Sequence, residues 1–387
     1  MASPTKHATL SASSAAKWIN NPPTLWIEEG MPNTTSTFAQ EGTEAHRLAE
    51  LTLKHEVGQL TDSEFSDAIK VFKQHAEFYN QSMQDFIDSH VSSVMEDYNR
   101  FDDAEMMLEQ KVSFSDWAPG GFGTSDCVIL ADDRLEIWDL KYGKGIRVDA
   151  DHNFQLMLYA LGCYAKYSLI YDFSQIRMTI SQPRIDNLSQ FDMSLDDLLE
   201  WGDKVVKPAA DNALNGRGEW DFSKPATWHF FKAEGFCKAL AEENLKIRKY
   251  KFMEANTLKP EDIAEILGMK DRITHWLDAV EYYAMTQVRD GKMELPGYKL
   301  VEGRSNRKLT DQDAVYEDLR AKGYRKSDLV QEKLIPLTKL DKLVKAEDYD
   351  TIISPKVIKP AGKPTLVPET DKRPAIGSAS SAQADFG

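Results

Sequence analysis

Cysteine is scarce. The 387 residues hold three, Cys127, Cys163 and Cys237, far apart and in no metal-ligand spacing, so neither a disulfide framework nor a closed zinc or iron–sulfur site is supported, and the three read as buried thiols. Long apolar runs are also missing. No window approaches the roughly 20 residues that a membrane-spanning helix needs, and the opening "MASPTKHATLSASSAAKW" lacks the apolar centre of a secretory signal, so the expected location is the cytoplasm, with no membrane partner. Positive charge is in short supply: 47 Lys and Arg against 62 Asp and Glu leave a net −15. That balance argues against a protein that coats nucleic acid by bulk charge, while leaving room for local basic grooves. Two such clusters stand out, Lys246, Arg248, Lys249 and Lys251 in "LKIRKYK" and Lys299, Arg304, Arg307 and Lys308 around "GYKLVEGRSNRKL".

With 42% hydrophobic and 28% charged residues, the chain has apolar mass for one large domain or two modest ones. "TFAQEGTEAHRLAELTLKHE" predicts a helix with Thr43 as its N-cap. "DSEFSDAIKVFKQHAEFYNQSMQDFIDSHVSSVMEDY" comes next with apolar residues at three- to four-residue spacing, a helix or pair of helices. The period then becomes two in "AEMMLEQKVSF", "GTSDCVIL", "RLEIWDLKY" and, after another helix, "QIRMTISQ", which read as strands. From about residue 190 the pattern is mostly helical, with "GYKLVEG" as a late strand. The order is that of an α/β protein. Residues 355–387 carry five prolines and a Gly/Ser/Ala-rich end, a composition that predicts a poorly ordered tail.

Chemistry concentrates in "GGFGTSDCVILADDRLEIWDLKYGKG". If "ADDR" is a two-residue hairpin turn, Asp126 falls directly opposite Asp139, with Cα atoms about 4.5 to 5.5 Å apart, and Asp139 and Lys141 share a face with Leu135 and Ile137. Two facing carboxylates repel and lose hydration unless a cation compensates them. A hard divalent ion such as Mg²⁺ would do so, and Lys141 beside it would hold or deprotonate water or neutralise phosphoryl oxygens. An isolated Asp-x-Lys is most often a plain ion pair at a strand end; the opposed Asp126 and the "PGGFG" approach, whose glycines admit a bulky ligand, favour the chemical reading. In "DHNFQLMLYALGCYAKY", Gln155 and Tyr159 lie one turn apart near a helix N-terminus that favours phosphate. His46 and Glu50 share a face of the earlier helix.

His46, "GTSD" ending at Asp126, "DLK" from Asp139 to Lys141 and "QLMLY" from Gln155 to Tyr159 together resemble the RecB-like branch of the PD-(D/E)XK nuclease superfamily. Nearly end to end, the chain resembles an uncharacterised phage and prophage family of that type in "LSASSAAKWINNPP", "GRSNRKL" and "GKPTLVPETDKRPAI". The resemblance implies an α/β fold with a mixed central sheet flanked by helices, in three segments: a nuclease core over 1–220, a mainly helical region with basic segments over 221–354 and the tail. It implies that His46, Asp126 and Asp139 hold Mg²⁺ or Mn²⁺ with the backbone carbonyl of Leu140, that Lys141 assists the attacking water, and that Gln155 and Tyr159 orient Lys141 or contact phosphate. Glu109 takes a supporting role behind the ligands. Relatives carry four cysteines at positions matching Asn21, Trp228, Phe231 and Cys237. Only Cys237 remains, so no iron–sulfur cluster is expected and aromatic packing is the candidate clasp between the N- and C-terminal helices.

The expected activity is thus metal-dependent hydrolysis of DNA, most readily exonucleolytic trimming of linear duplex ends beside a phage single-strand annealing protein, with a homo-oligomeric ring as one way for an acidic protein to stay on DNA. The alternatives are a catalytically silent DNA-binding or assembly module on the same fold, a structure-specific endonuclease, and an unrelated enzyme in which the acids are ordinary ion pairs.

Overall fold

In a computed structural model the chain is described over residues 8–301, apart from 32–36, 132, 224, 229–230 and 248–257, and beyond Val301 only at 317 and 321–322. One compact unit runs from Met1 to Val301 and a second from Glu302 to Gly387. The sheet and all the helices named below belong to the first. The tail and the cations Arg248, Lys249, Lys251, Arg304, Arg307 and Lys308 lie outside the described residues.

A five-stranded mixed sheet in the order β1-β2-β3-β4-β5 forms the centre, made of β1 (Glu105–Ser113), β2 (Phe122–Leu130), β3 (Arg134–Leu140), β4 (Gln175–Gln182) and β5 (Asn187–Ser194). β3 and β4 are parallel, and the other neighbours are antiparallel. A parallel pair needs a crossover, which the buried helix Phe154–Tyr167 supplies. β5 escaped the periodicity reading because its inward residues begin with Asn187 and Ser189, which are buried but polar. "GYKLVEG" does not form a strand over its described residues, 297–301.

Helices cover both faces. On one side α3 (Thr37–Glu56), α4 (Asp62–His75) and α5 (Gln81–Tyr98) accompany the sheet; Leu48 and Leu53 of α3 and Ile87 and Val94 of α5 pack on Cys127, Ile129, Trp138 and Leu140. The helix at 37–56 begins six residues before Thr43, whose hydroxyl donates back to the Ala39 carbonyl at 2.9 Å rather than capping an end. The long amphipathic stretch divides in two, with Thr61 and Glu64 forming a capping box on α4 and Asn80 capping α5. On the other side lie α1 (Ala15–Asn20), the crossover helix α6 (Phe154–Tyr167), α7 (Leu195–Trp201) and α8 (Lys207–Leu214), while the short α2 (Thr24–Ile27) stands between α1 and α3 in chain order. Trp18, Leu156, Leu161 and Leu198 from this side are buried with Val128, Leu135 and Ile137 of the sheet.

The compact unit does not stop at residue 220, because the N-terminal segment is fastened to the chain beyond that point. Buried Asn21 accepts from the Asp221 amide and donates to the Thr227 carbonyl at 3.4 Å, and Glu28 accepts from the Lys232 amide at 2.8 Å. Trp228, Phe231 and Cys237 share a buried cluster with Phe222 and Leu240, against which Ile27 and Met31 pack. Asn21, Trp228, Phe231 and Cys237 thus all lie at the junction between the N-terminal segment and the chain beyond residue 220. α9 (Pro225–Trp228), α10 (Lys238–Leu245) and α11 (Pro260–Arg289) complete the unit, α11 being tied down by Arg272, which donates to Asn244 at 2.9 Å and to the Phe222 carbonyl at 3.1 Å.

Candidate active site

The hairpin forms in the expected register. Ala131 and Arg134 exchange backbone hydrogen bonds at 3.0 and 3.2 Å around a two-residue turn, and the ladder pairs Leu130 with Leu135 through Cys127 with Trp138. Asp126 and Asp139 are next in that register, but the ladder ends before them. Instead the Asp126 carboxylate accepts from the Leu140 amide at 2.8 Å, so Leu140 contributes its N–H to an acid, and the Lys141 amide crosses to the Ser181 carbonyl of β4 at 2.8 Å.

The interruption continues into β1. Pairs Leu108 with Cys127 and Gln110 with Ser125 flank it, leaving Glu109 across from Asp126. Glu109 sits at φ 49°, a left-handed conformation that costs a non-glycine residue about 1–3 kcal/mol. It also shifts the in-out alternation: Met107 packs toward α6 on one side of the break, and Val112, with Gln110 accepting from Tyr167 of α6 at 2.9 Å, does so on the other. The result is a ligand set. One donor atom each of His46, Glu109 and Asp126 lie within 4.8 Å of one another, and His46 Nδ1 stands 3.2 Å from Asp126 Oδ1.

Asp139 is engaged differently. Its oxygens meet Lys141 Nζ at 2.8 Å and Gln155 Nε2 at 3.1 Å; Lys141 in turn donates to Gln155 Oε1 at 3.0 Å, and Gln155 Nε2 also reaches the Tyr159 hydroxyl at 3.0 Å. Gln155 thus hydrogen-bonds both members of the Lys141–Asp139 ion pair. The α6 N-terminus is not open to an anion, since the Asn153 side chain accepts from the Gln155 and Leu156 amides at 3.1 and 3.3 Å. Two of the three glycines of "PGGFG", Gly121 and Gly123, do not admit a ligand, whereas Gly120 has nothing within 4 Å of an added Cβ. A Cβ on Gly123 would lie 2.7 Å from the Tyr159 ring, and one on Gly121 2.4 Å from the Phe114 ring, so their missing side chains make room for aromatic packing inside the protein. Glu50 is held by Arg47 at 2.5 Å and Lys54 at 2.6 Å, close enough to Glu109 for its charge to be felt there.

Electrostatics ties the two groups together. Burial works against a charged imidazole at His46, but Asp126 and then Asp139 more than offset it and hold the pKa above the ordinary histidine value. Asp126 is opposed by burial and favoured by His46, the Leu140 amide and Lys141, which together keep it below the usual carboxylate range. Burial pushes Asp139 up, only partly offset by Lys141, and Asp126 adds to the rise. At Lys141 burial lowers the pKa while Asp139 and Asp126 raise it further, so the ammonium stays protonated. Glu109 is exposed as a residue, yet partial burial of its carboxyl, then Asp126 and Glu50, push it up to about 7. Burial and neighbouring acids outweigh the opposing pull of His46 and Lys54.

Two carboxylates and one imidazole at this spacing are a donor set that could hold a divalent cation. Of the expected ligands, His46 and Asp126 come together; Glu109 joins them directly, while Asp139 faces Lys141 and Gln155. The signal that would have placed Glu109 was its register position opposite Asp126, but its backbone twist is invisible to a period-two reading.

A family described as "Protein of unknown function (DUF2800)" matches residues 7–374. The chain belongs to that family. Among solved structures, the crystal structure of SSO0001 matches at 13% sequence identity over 57% of this DUF2800 chain and 95% of its own, with a TM-score of 0.23, a likeness too slight to bear on fold or activity. Among the described residues no helix is long and apolar enough to cross a membrane.

Proposed function

We propose that this protein is a Mg²⁺- or Mn²⁺-dependent deoxyribonuclease that hydrolyses phosphodiester bonds at the ends of linear duplex DNA. The observation that supports this reading is the placing of the His46, Glu109 and Asp126 donor atoms within 4.8 Å of one another, beside an ammonium held by Asp139 and Gln155. A divalent ion bound there would supply a water of lowered pKa and positive charge beside the phosphate. The chain's own residues supply the rest. Lys141, kept protonated by Asp139, donates to a non-bridging phosphoryl oxygen as charge builds on it, which is the role of an electrostatic stabiliser and not of a base. Gln155 fixes the ammonium from one side, and Tyr159 holds Gln155 in turn. The choice of free ends, and of a recombination setting with a strand-annealing partner, rests on the resemblance of motifs.

The test is digestion of end-labelled linear duplex and covalently closed circles with Mg²⁺, Mn²⁺ or EDTA, using wild type, Asp126→Ala and Lys141→Ala. Metal-dependent cutting of the linear DNA is expected, with a loss of about 10²-fold or more in each variant and circular dichroism unchanged. A wild type that never cuts points to a binding module; cutting of closed circles points to an endonuclease; full activity in Lys141→Ala removes the site from the chemistry.

A further inference from the structure

The segment from Gly143 to Arg147 is unlike the rest of this acidic chain. It follows β3 by way of Lys141 and Tyr142 and leads, through Val148 to Asn153, into the helix that carries Gln155, so both ends are rooted in the candidate site. From Lys141 to Val148 it holds three cations, Lys141, Lys144 and Arg147, and no acid. Residues Gly143 to Arg147 are all exposed, Ile146 at 56%, and among the described residues no ion pair engages Lys144 or Arg147, although Asp149 feels the charge of Arg147.

The base of this exposed loop is held by buried polar side chains. Gln182 accepts from the Val148 amide at 2.7 Å and donates to the Ile146 carbonyl at 3.2 Å. Asn187 donates to the Val148 carbonyl at 2.9 Å and to Gln182 at 2.8 Å. Ser189 accepts from the Ala150 amide at 3.0 Å and donates to Asp149 at 2.6 Å. Burying three polar side chains is costly unless they are hydrogen-bonded; here their partners outside the trio are the backbone and Asp149 of this one loop. A rigid base under a cationic tip that makes no ion pair among the described residues is the arrangement of a binding element.

Resting on the nuclease reading, we propose that Gly143–Arg147 grips the DNA strand being cut. Lys144 and Arg147, separated by at most about 10 Å of extended chain, bind successive phosphates, and Ile146 lies against the sugar or base edge between them. Gly143 and Gly145 have nothing within 4 Å of an added Cβ, which leaves the backbone open to close approach.

The experiment measures kcat and KM on linear duplex at fixed Mn²⁺ over a salt series, for wild type, the double variant Lys144→Ala/Arg147→Ala and Ile146→Ser. The double variant should raise KM with kcat at saturating DNA retained, and flatten the plot of log kcat/KM against log salt by about 1.8, two phosphates at about 0.9 each. Ile146→Ser should raise KM with the salt slope unchanged. A double variant with wild-type KM and slope overturns the grip while leaving the nuclease reading standing. A wild type that cuts nothing overturns both.

Discussion

Glu136 offers a test of the fold's electrostatics that is independent of any activity. It lies on β3, 1% exposed, with Arg134 Nε 3.1 Å away and its Oε2 without a hydrogen-bond partner. Nearby, buried Asp97 of α5 is claimed by Arg100 at 2.8 Å and Gln190 at 3.1 Å, and Arg177 is committed to Asp192 at 2.8 and 2.9 Å. Burial, then Asp97, push Glu136 from 4.5 to about 6, against the pull of Arg134, Arg177 and Arg100. A raised carboxyl pKa means that between pH 4.5 and 6 the folded protein keeps a proton that the unfolded chain has lost. Stability from this group is therefore greatest below pH 4.5 and declines as pH rises through 6, by about 2 kcal/mol in all, since each pKa unit corresponds to about 1.4 kcal/mol. Glu136→Gln keeps the shape of the protonated form and cannot ionise, while Arg134 retains Asp192 at 2.8 Å. Urea unfolding of both proteins from pH 4.5 to 8 should show the variant gaining about 2 kcal/mol over wild type by pH 7 and levelling off thereafter. A pH-independent difference, or one of opposite slope, would refute the account.

Three further outcomes are expected from particular contacts. Gly123→Val drives a side chain into the Tyr159 ring, 2.7 Å from the added Cβ; overpacking of this kind costs about 1–3 kcal/mol, read as a lower urea midpoint. Asn21→Ala removes two hydrogen bonds of a buried side chain, to the Asp221 amide and to the Thr227 carbonyl, and should destabilise by about 1–3 kcal/mol, whereas an unchanged midpoint would show that the aromatic cluster alone holds the N-terminal segment. Gln155→Ala removes the amide that bridges Lys141 and Asp139, leaving only their mutual ion pair; on the nuclease reading turnover falls about 10- to 100-fold with melting temperature little changed, and full turnover would deny Gln155 its positioning role.

Much of the architecture is written in local periodicity. Alternation marks β1 to β4, the two-residue turn settles the register of β2 against β3, and the helical period marks α4, α5 and α6, because these signals depend only on neighbours a few residues apart. The same logic placed Asp126 and Asp139 at one level of the sheet and Gln155 and Tyr159 on one face of α6. It failed where polar residues point inward, as at Asn187 and Ser189 of β5, and where glycine suggested an open approach that packing had filled.

What the linear chain determined, then, is which residues share a strand level or a helix face; a period of 2 or 3.6 needs no knowledge of the remainder. Only the folded protein decided which of those faces meet. His46 reaches Asp126 because the apolar stripe of α3 is pressed on the sheet beside α5, Glu109 joins them because its backbone turns left-handed, and Asp139 meets Lys141 and Gln155 because its buried carboxylate needs donors that only distant segments supply. Such meetings are set by the competition between apolar burial and the cost of stranding charge, and that balance exists only once distant segments are packed together.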